Sequence, residues 1–214
     1  MFITLEGPEG SGKTTQLKHL AADLTGRGYE CLVTREPGGT PIGAQIRKIL
    51  LHPDSRGMAP LAELFLYEAD RAEHLHRQIR PALAQGKVVV CDRFYDATVA
   101  YQGYGRGLAL DFLHHLHRVL TAGLTPDLTL LLDLAPEVGL ARTWKQMENG
   151  GRDLAEARFE EEALAFHRRV RAGYLELARG EPQRFRVLDA ARDTEQVTAD
   201  IRAVLEEIIP WERP

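Results

Sequence analysis

Cysteine is nearly missing from this chain: Cys31 and Cys91 are the only two in 214 residues. Two thiols, each in an apolar run, make neither a disulfide framework nor a zinc site, so a reducing, cytoplasmic setting is expected. Asparagine is scarcer still. Asn149 stands alone and is followed by Gly150, so the Asn-Lys-x-Asp element that reads guanine is absent and a GTPase switch is excluded. Lysine occurs at five positions, and 27 basic residues face 31 acidic ones for a net charge of -4. That balance speaks against broad binding to nucleic acid or an anionic membrane, and leaves local arginine clusters to hold any anion. No apolar run approaches the roughly 20 residues of a membrane span, and no basic-then-apolar leader opens the chain.

What is present is ordinary in amount and informative in order. The composition is 44% apolar and 27% charged, as in globular proteins, and the length fits one domain with a small mobile insertion. Five β-rich runs alternate with longer helical patterns. They are Phe2 to Glu6, Glu30 to Thr34, Lys87 to Asp92, Asp127 to Asp133 and Arg184 to Asp189. Helical segments include Lys13 to Thr25, Pro60 to Ala84, Asp111 to Ala122 and Thr194 to Ile209. Nearly continuous apolar strand middles, separated by helices, predict an α/β fold: a five-stranded parallel sheet flanked by helices on both faces. Ligands of such sheets bind beyond the carboxyl ends of the strands.

The loop after the first run carries the plainest motif. Gly7, Pro8, Glu9, Gly10, Ser11, Gly12, Lys13 and Thr14, continued by Thr15, match a P-loop. Its glycines let backbone N–H groups turn inward on phosphate oxygens, and the following helix adds its positive end. Lys13 is expected at the β- and γ-phosphates and Thr14 on Mg²⁺, so the chain should bind a nucleoside triphosphate with magnesium. Arg35 and Arg93 each follow a strand end, Arg93 directly after Asp92. Taken singly, either would pass for a surface arginine. Two at successive strand ends beside a P-loop suit a second phosphate, gripped by guanidinium forks. An acceptor that is itself a phosphate needs no strong base, which agrees with the lack of an evident catalytic histidine. The cluster His114 to Arg118 reads as a solvated helix face.

In order along the chain, "EGPEGSGKTTQ", "TREPGGTPIG", "LFLYEADRAEH", "DRFYDATVAYQGYGRGL", "PDLTLLLDLAPEVGLAR" and "FHRRVRAGYLELA" resemble blocks of the bacterial thymidylate kinases, from residue 2 to about 205. The resemblance implies a P-loop NTPase fold, transfer of the γ-phosphoryl of ATP to dTMP in nucleotide biosynthesis, and a homodimer. It implies that Arg35 and Arg93 hold the dTMP phosphate, that Tyr67 stacks on thymine, and that Arg71 bonds its O4. Thr98 and Gln102 would read the base edge, while Tyr101 would crowd a ribose 2′-OH. Glu9 would meet the 3′-hydroxyl of dTMP. Asp92 would organise the magnesium and its waters, or only anchor Arg93. The stretch from Ala190 to Asp193 would lie beside adenine.

The charged segment between about 142 and 160 reads either as a solvated helix hairpin or as a lid over the nucleotide. Some members of the family place a catalytic arginine in the P-loop, where this chain has Gly10. The resemblance therefore implies that a lid arginine supplies that charge. Arg142, Arg152 and Arg158 are the candidates, with Arg158 best aligned.

Overall fold

The protein is described by a computed structural model covering residues 1–151 and 153–209. Its strands are β1 (Phe2–Glu6), β2 (Cys31–Arg35), β3 (Val88–Asp92), β4 (Leu128–Asp133) and β5 (Phe185–Asp189), all parallel in the order β2-β3-β1-β4-β5. Side-chain alternation explains why the runs look continuously apolar. Ile3, Leu5, Val88, Val90, Leu130 and Leu132 face one way, into a core with Leu17, Leu20 and Leu24 of α1 (Lys13–Gly26). Phe2, Val89, Cys91 and Leu131 face the other way, into two further apolar clusters. Each face is covered, so the runs are mostly apolar, and the polar residues buried in them are paired, as Thr4 Oγ1 is with Thr129 Oγ1 at 2.9 Å.

On that second side lie α2 (Pro41–Leu51) and α3 (Pro60–His74). Thr40 starts α2, its hydroxyl accepting from Gly43 N at 2.9 Å, with Pro41 next; both features favour helix initiation. The sequence reading has one helix from Pro60 to Ala84. The structure instead widens into a π turn at Leu75–Ile79 before α4 (Arg80–Ala84). Pro81 has no N–H and crowds the carbonyl four residues back, and the wider turn absorbs it. After β3 come α5 (Tyr95–Thr98) and a second π stretch, Val99–Gly105. The chain continues through α6 (Leu110–Thr121), α7 (Pro136–Glu148), α8 (Leu164–Gly180) and α9 (Thr194–Ile208). Val197, Ile201 and Leu205 of α9 complete the core around α1. No helix among the described residues is long and apolar enough to cross a membrane.

Register decides what meets at the ligand edge. Leu5 pairs with Asp92, Arg35 with the same Asp92, and Asp133 with Asp189. Glu6, Arg35, Asp92 and the loops that follow them therefore emerge together at one end of the sheet.

Candidate active site

The P-loop wraps around its own lysine. Lys13 Nζ donates to Gly7 O at 3.0 Å, Pro8 O at 2.8 Å and Ser11 Oγ at 3.3 Å. Burial, with Arg93 nearby, pulls its pKa down to about 8 despite Asp92, Glu9 and Glu6. Phosphate oxygens beside the ammonium would oppose that shift. Gly10 and Gly12 both adopt left-handed backbone, φ 68° and 88°, which glycine alone takes at little cost. The loop also lies hard against α7. A Cβ on Gly10 would come within 2.1 Å of Gly139 O, and one on Gly139 within 2.2 Å of Glu9 O.

Two pockets adjoin here. Ser11, Gly12, Lys13, Thr14 and Thr15 line the larger, together with Arg35, Asp92 and Arg93. Both expected phosphate-gripping arginines thus face the P-loop pocket. Thr14 is exposed in it, and Asp92 Oδ1 is buried without a hydrogen-bond partner. A hydroxyl and an unsatisfied carboxylate oxygen on one pocket fit a hard divalent cation, directly or through water. Among the described residues no group of three or more His, Cys, Asp or Glu forms a metal cage, so most ligands would be phosphates and waters.

The smaller pocket collects Tyr67, Arg71, Thr98, Tyr101 and Gln102, the residues expected around the nucleoside. They reach it from α3, α5 and the π stretch that replaces the expected plain helix. Arg71 is 1% exposed and held on three sides: Nε donates to Glu36 Oε2 at 2.8 Å, Nη1 to Glu68 Oε1 at 2.7 Å, and Nη2 to Thr98 Oγ1 at 3.0 Å. Its remaining N–H bonds have one fixed direction in which to meet a base carbonyl.

Glu9 and Arg93 line both pockets. Glu9 Oε1 accepts from Tyr101 OH at 2.5 Å and from Arg93 Nη2 at 3.2 Å, and His167 Nδ1 lies 3.5 Å from Oε2. Burial alone would raise this carboxyl. The imidazole of His167 and the charges of Arg93 and Lys13 outweigh it and hold Glu9 well below the usual carboxylate range. A carboxylate inside an anion-binding loop is tolerable because it points sideways, into cations and hydroxyls.

Two of the three arginines expected at the phosphates stand elsewhere in this structure. Arg158, the best-aligned candidate, does not line the phosphate pocket. It is 2% exposed, with Nη2 donating to Glu63 Oε2 at 2.5 Å and Nη1 to Leu50 O at 2.9 Å. Arg142 extends from α7 to the carbonyls of Ala190 and Ala191, at 2.9 and 3.5 Å, the stretch expected near adenine. Arg152 lies outside the described residues. Segment 154–162 lies over α2 and α3: Glu156 takes a bidentate pair from Arg47, and Glu162 pairs with Arg106.

Sequence reading missed Glu36, Arg47 and Glu63. Glu36 and Arg47 line both pockets. Glu36 directly follows Arg35 at a strand end, so its position alone placed it at the ligand edge. Glu63 carries no such signal, because its partners Gln102, Arg106 and Arg158 are remote in sequence.

A family model described as Thymidylate kinase matches residues 5–201. A thymidylate kinase of Desulfosudis oleivorans is 55% identical over 214 residues, covering 100% of both chains. One of Desulforapulum autotrophicum is 58% identical, covering 94% of this chain and 88% of its own. The crystal structure of thymidylate kinase from Ehrlichia chaffeensis matches with a TM-score of 0.76 at 34% identity, covering 96% of this chain and 98% of that one.

Proposed function

The chain belongs to the thymidylate kinase family and phosphorylates dTMP to dTDP with ATP; we propose that it does so with ATP in the larger pocket and dTMP in the smaller. The observation that carries this placement is the shared wall: Glu9 and Arg93 face both pockets. A phosphate held by Arg93 would therefore stand at the opening between them, in line with the P-loop.

In this reading a dTMP phosphate oxygen attacks the γ-phosphorus, the bond to the bridging oxygen breaks, and ADP carries away the electron pair. Arg35 and Arg93 hold the acceptor phosphate and offset repulsion between the two anions. Lys13 follows the β- and γ-phosphates as charge spreads. Thr14, with Asp92 behind it, would hold Mg²⁺, which when bound neutralises charge on the same two phosphates. Tyr67 would stack on thymine, Arg71, Thr98 and Gln102 would read its edge, and Glu9 would accept from the 3′-hydroxyl. Tyr101, fixed on Glu9, leaves little room for a 2′-hydroxyl. The segment about 142–160 would serve as the lid. Its transition-state arginine is not Arg158 in the state described, which would first have to leave Glu63. Turnover of dTMP, UMP, CMP, AMP and GMP with ATP tests the acceptor assignment; equal turnover of all five would sink it.

Supporting a homodimer, large apolar side chains stand exposed on three neighbouring helices: Ile42 and Ile49 on α2, Leu61 and Phe65 on α3, Phe112 and Val119 on α6. Contiguous exposed apolar surface marks an association face. Light scattering after gel filtration should give twice the chain mass, and Phe65→Glu should give the single mass. A parent protein that runs as a monomer at micromolar concentration would refute this. Unpaired Cys31 and Cys91 agree with a cytoplasmic enzyme.

A further inference from the structure

Glu6 is completely buried at the end of β1, one residue before the P-loop, and no step above uses it. Burial, and then repulsion from Asp96, push its carboxyl up to about 8 against the pull of Arg93. An apolar residue would pack there at less cost, so the position of its partners matters. Its two oxygens are fully engaged. Phe94 N donates to Oε1 at 2.7 Å and Tyr174 OH donates to Oε2 at 2.8 Å. The Tyr174 oxygen in turn accepts from Arg93 Nη1 at 3.1 Å.

These contacts converge on a strained residue. Arg93 has φ 69°, a left-handed backbone that side-chain-bearing residues seldom adopt. Such strain persists only where the surroundings over-determine it. Here β1 secures the backbone on both sides: Arg93 N donates to Leu5 O at 3.0 Å, and the next amide is the Phe94 N–H on Glu6. The guanidinium is aimed as well. Tyr174 takes Nη1, Glu9 takes Nη2, and the group lies 4.9 Å above the Tyr101 ring. That occupies two of the five N–H bonds of an arginine and leaves the others for a ligand.

We propose that Glu6 and Tyr174 are positioning residues for the phosphoryl acceptor: Glu6 locks the turn that carries Arg93, and Tyr174 links the same carboxyl group to its guanidinium. The proposal rests on reading Arg93 as the group that holds the dTMP phosphate. Tyr174 sits on α8, which begins directly after the lid segment, so the helix that follows the lid also sets the aim of Arg93.

The test compares dTMP with thymidine, which lacks the phosphate, by titration calorimetry on Tyr174→Phe, Glu6→Gln and Arg93→Ala. Loss of one hydrogen bond to a charged group should weaken dTMP binding by about tenfold in Tyr174→Phe. Thymidine affinity and the KM for ATP should stay at the parental values, and dTMP turnover should fall with dTMP affinity. Adding Tyr174→Phe to Arg93→Ala should change dTMP binding less than twofold, because the relay then has nothing to aim. Equal losses for dTMP and thymidine would show a merely structural role and overturn the proposal, as would parental dTMP affinity in Tyr174→Phe. If Arg93→Ala itself kept dTMP affinity, the reading of Arg93 would fall and the proposal with it. If only Arg93→Ala lost affinity, the proposal alone would fall. Phenylalanine preserves the ring of Tyr174, so that variant decides the matter even if Glu6→Gln fails to fold.

Discussion

Replacing Arg93 by alanine should lower kcat/KM for dTMP by about a thousandfold or more, with ATP affinity changed far less. The asymmetry follows from where the guanidinium stands. In the proposed placement Lys13 and the P-loop amides hold the triphosphate without it, whereas the acceptor phosphate, where the two pockets meet, would be left with Arg35 of the larger pocket and Arg47, which lines both. Arg47 is already committed to Glu156. Arg93 also contributes to keeping Glu9 ionised, so under the proposed role of Glu9 its loss would weaken the hold on the 3′-hydroxyl as well. Steady-state kinetics with each substrate varied in turn measures both effects. An equal rise in KM for ATP and dTMP would mean that Arg93 supports the loop as a whole and not the acceptor.

Glu63→Ala should be the most damaging change to stability. Glu63 is fully buried and accepts from Gln102 at 2.8 Å, from Arg106 at 3.1 Å through both Nε and Nη2, and from Arg158 at 2.5 Å. Its removal strands Arg158 in the interior with Leu50 O as the remaining acceptor. Breaking a buried ion pair from one side costs about 3–5 kcal/mol, a fall in Tm of roughly 10 °C for a chain of this size. Removing the charge on both sides, with Glu63→Leu and Arg158→Met together, should restore much of that loss. A drop below about 1 kcal/mol in the single variant would show that the pair does not pin the segment around Arg158 to α3.

How well such features could be read from the sequence depends on how local their causes are. All five strands lie within one residue of the expected runs at each end, β2 being shifted by one toward Arg35, because two-sided burial leaves an apolar run in the chain itself. The P-loop was legible for the same reason: its glycines, Lys13 and Thr14 act on their own backbone. The π turns were not, since a single proline such as Pro81 marks a disturbance without saying whether the helix ends or widens. Least legible was Glu63. In sequence it is one more acidic residue in the first turn of a helix, and only folding brings Arg106 and Arg158 to it across 43 and 95 positions. Arg158 was expected at the phosphates because it aligns best with the family's lid arginine, and nothing in the sequence shows that Glu63 engages it. An arginine in a charged run looks available until its partner is known.

The contact between Gly10 and Gly139 bears on how this enzyme can evolve. A side chain at Gly10 would run into the backbone of Gly139, one at Gly139 would run into the Glu9 carbonyl beside Gly10, and Gly10 also holds a backbone that other residues resist. An arginine arriving at position 10 by a single codon change would meet the backbone of α7 before it could extend toward a phosphate. Gaining it would require α7 to retreat first, a change with no advantage until the arginine is there. The packing of α7 against the loop therefore bars a side chain at position 10, whatever codon change supplies it.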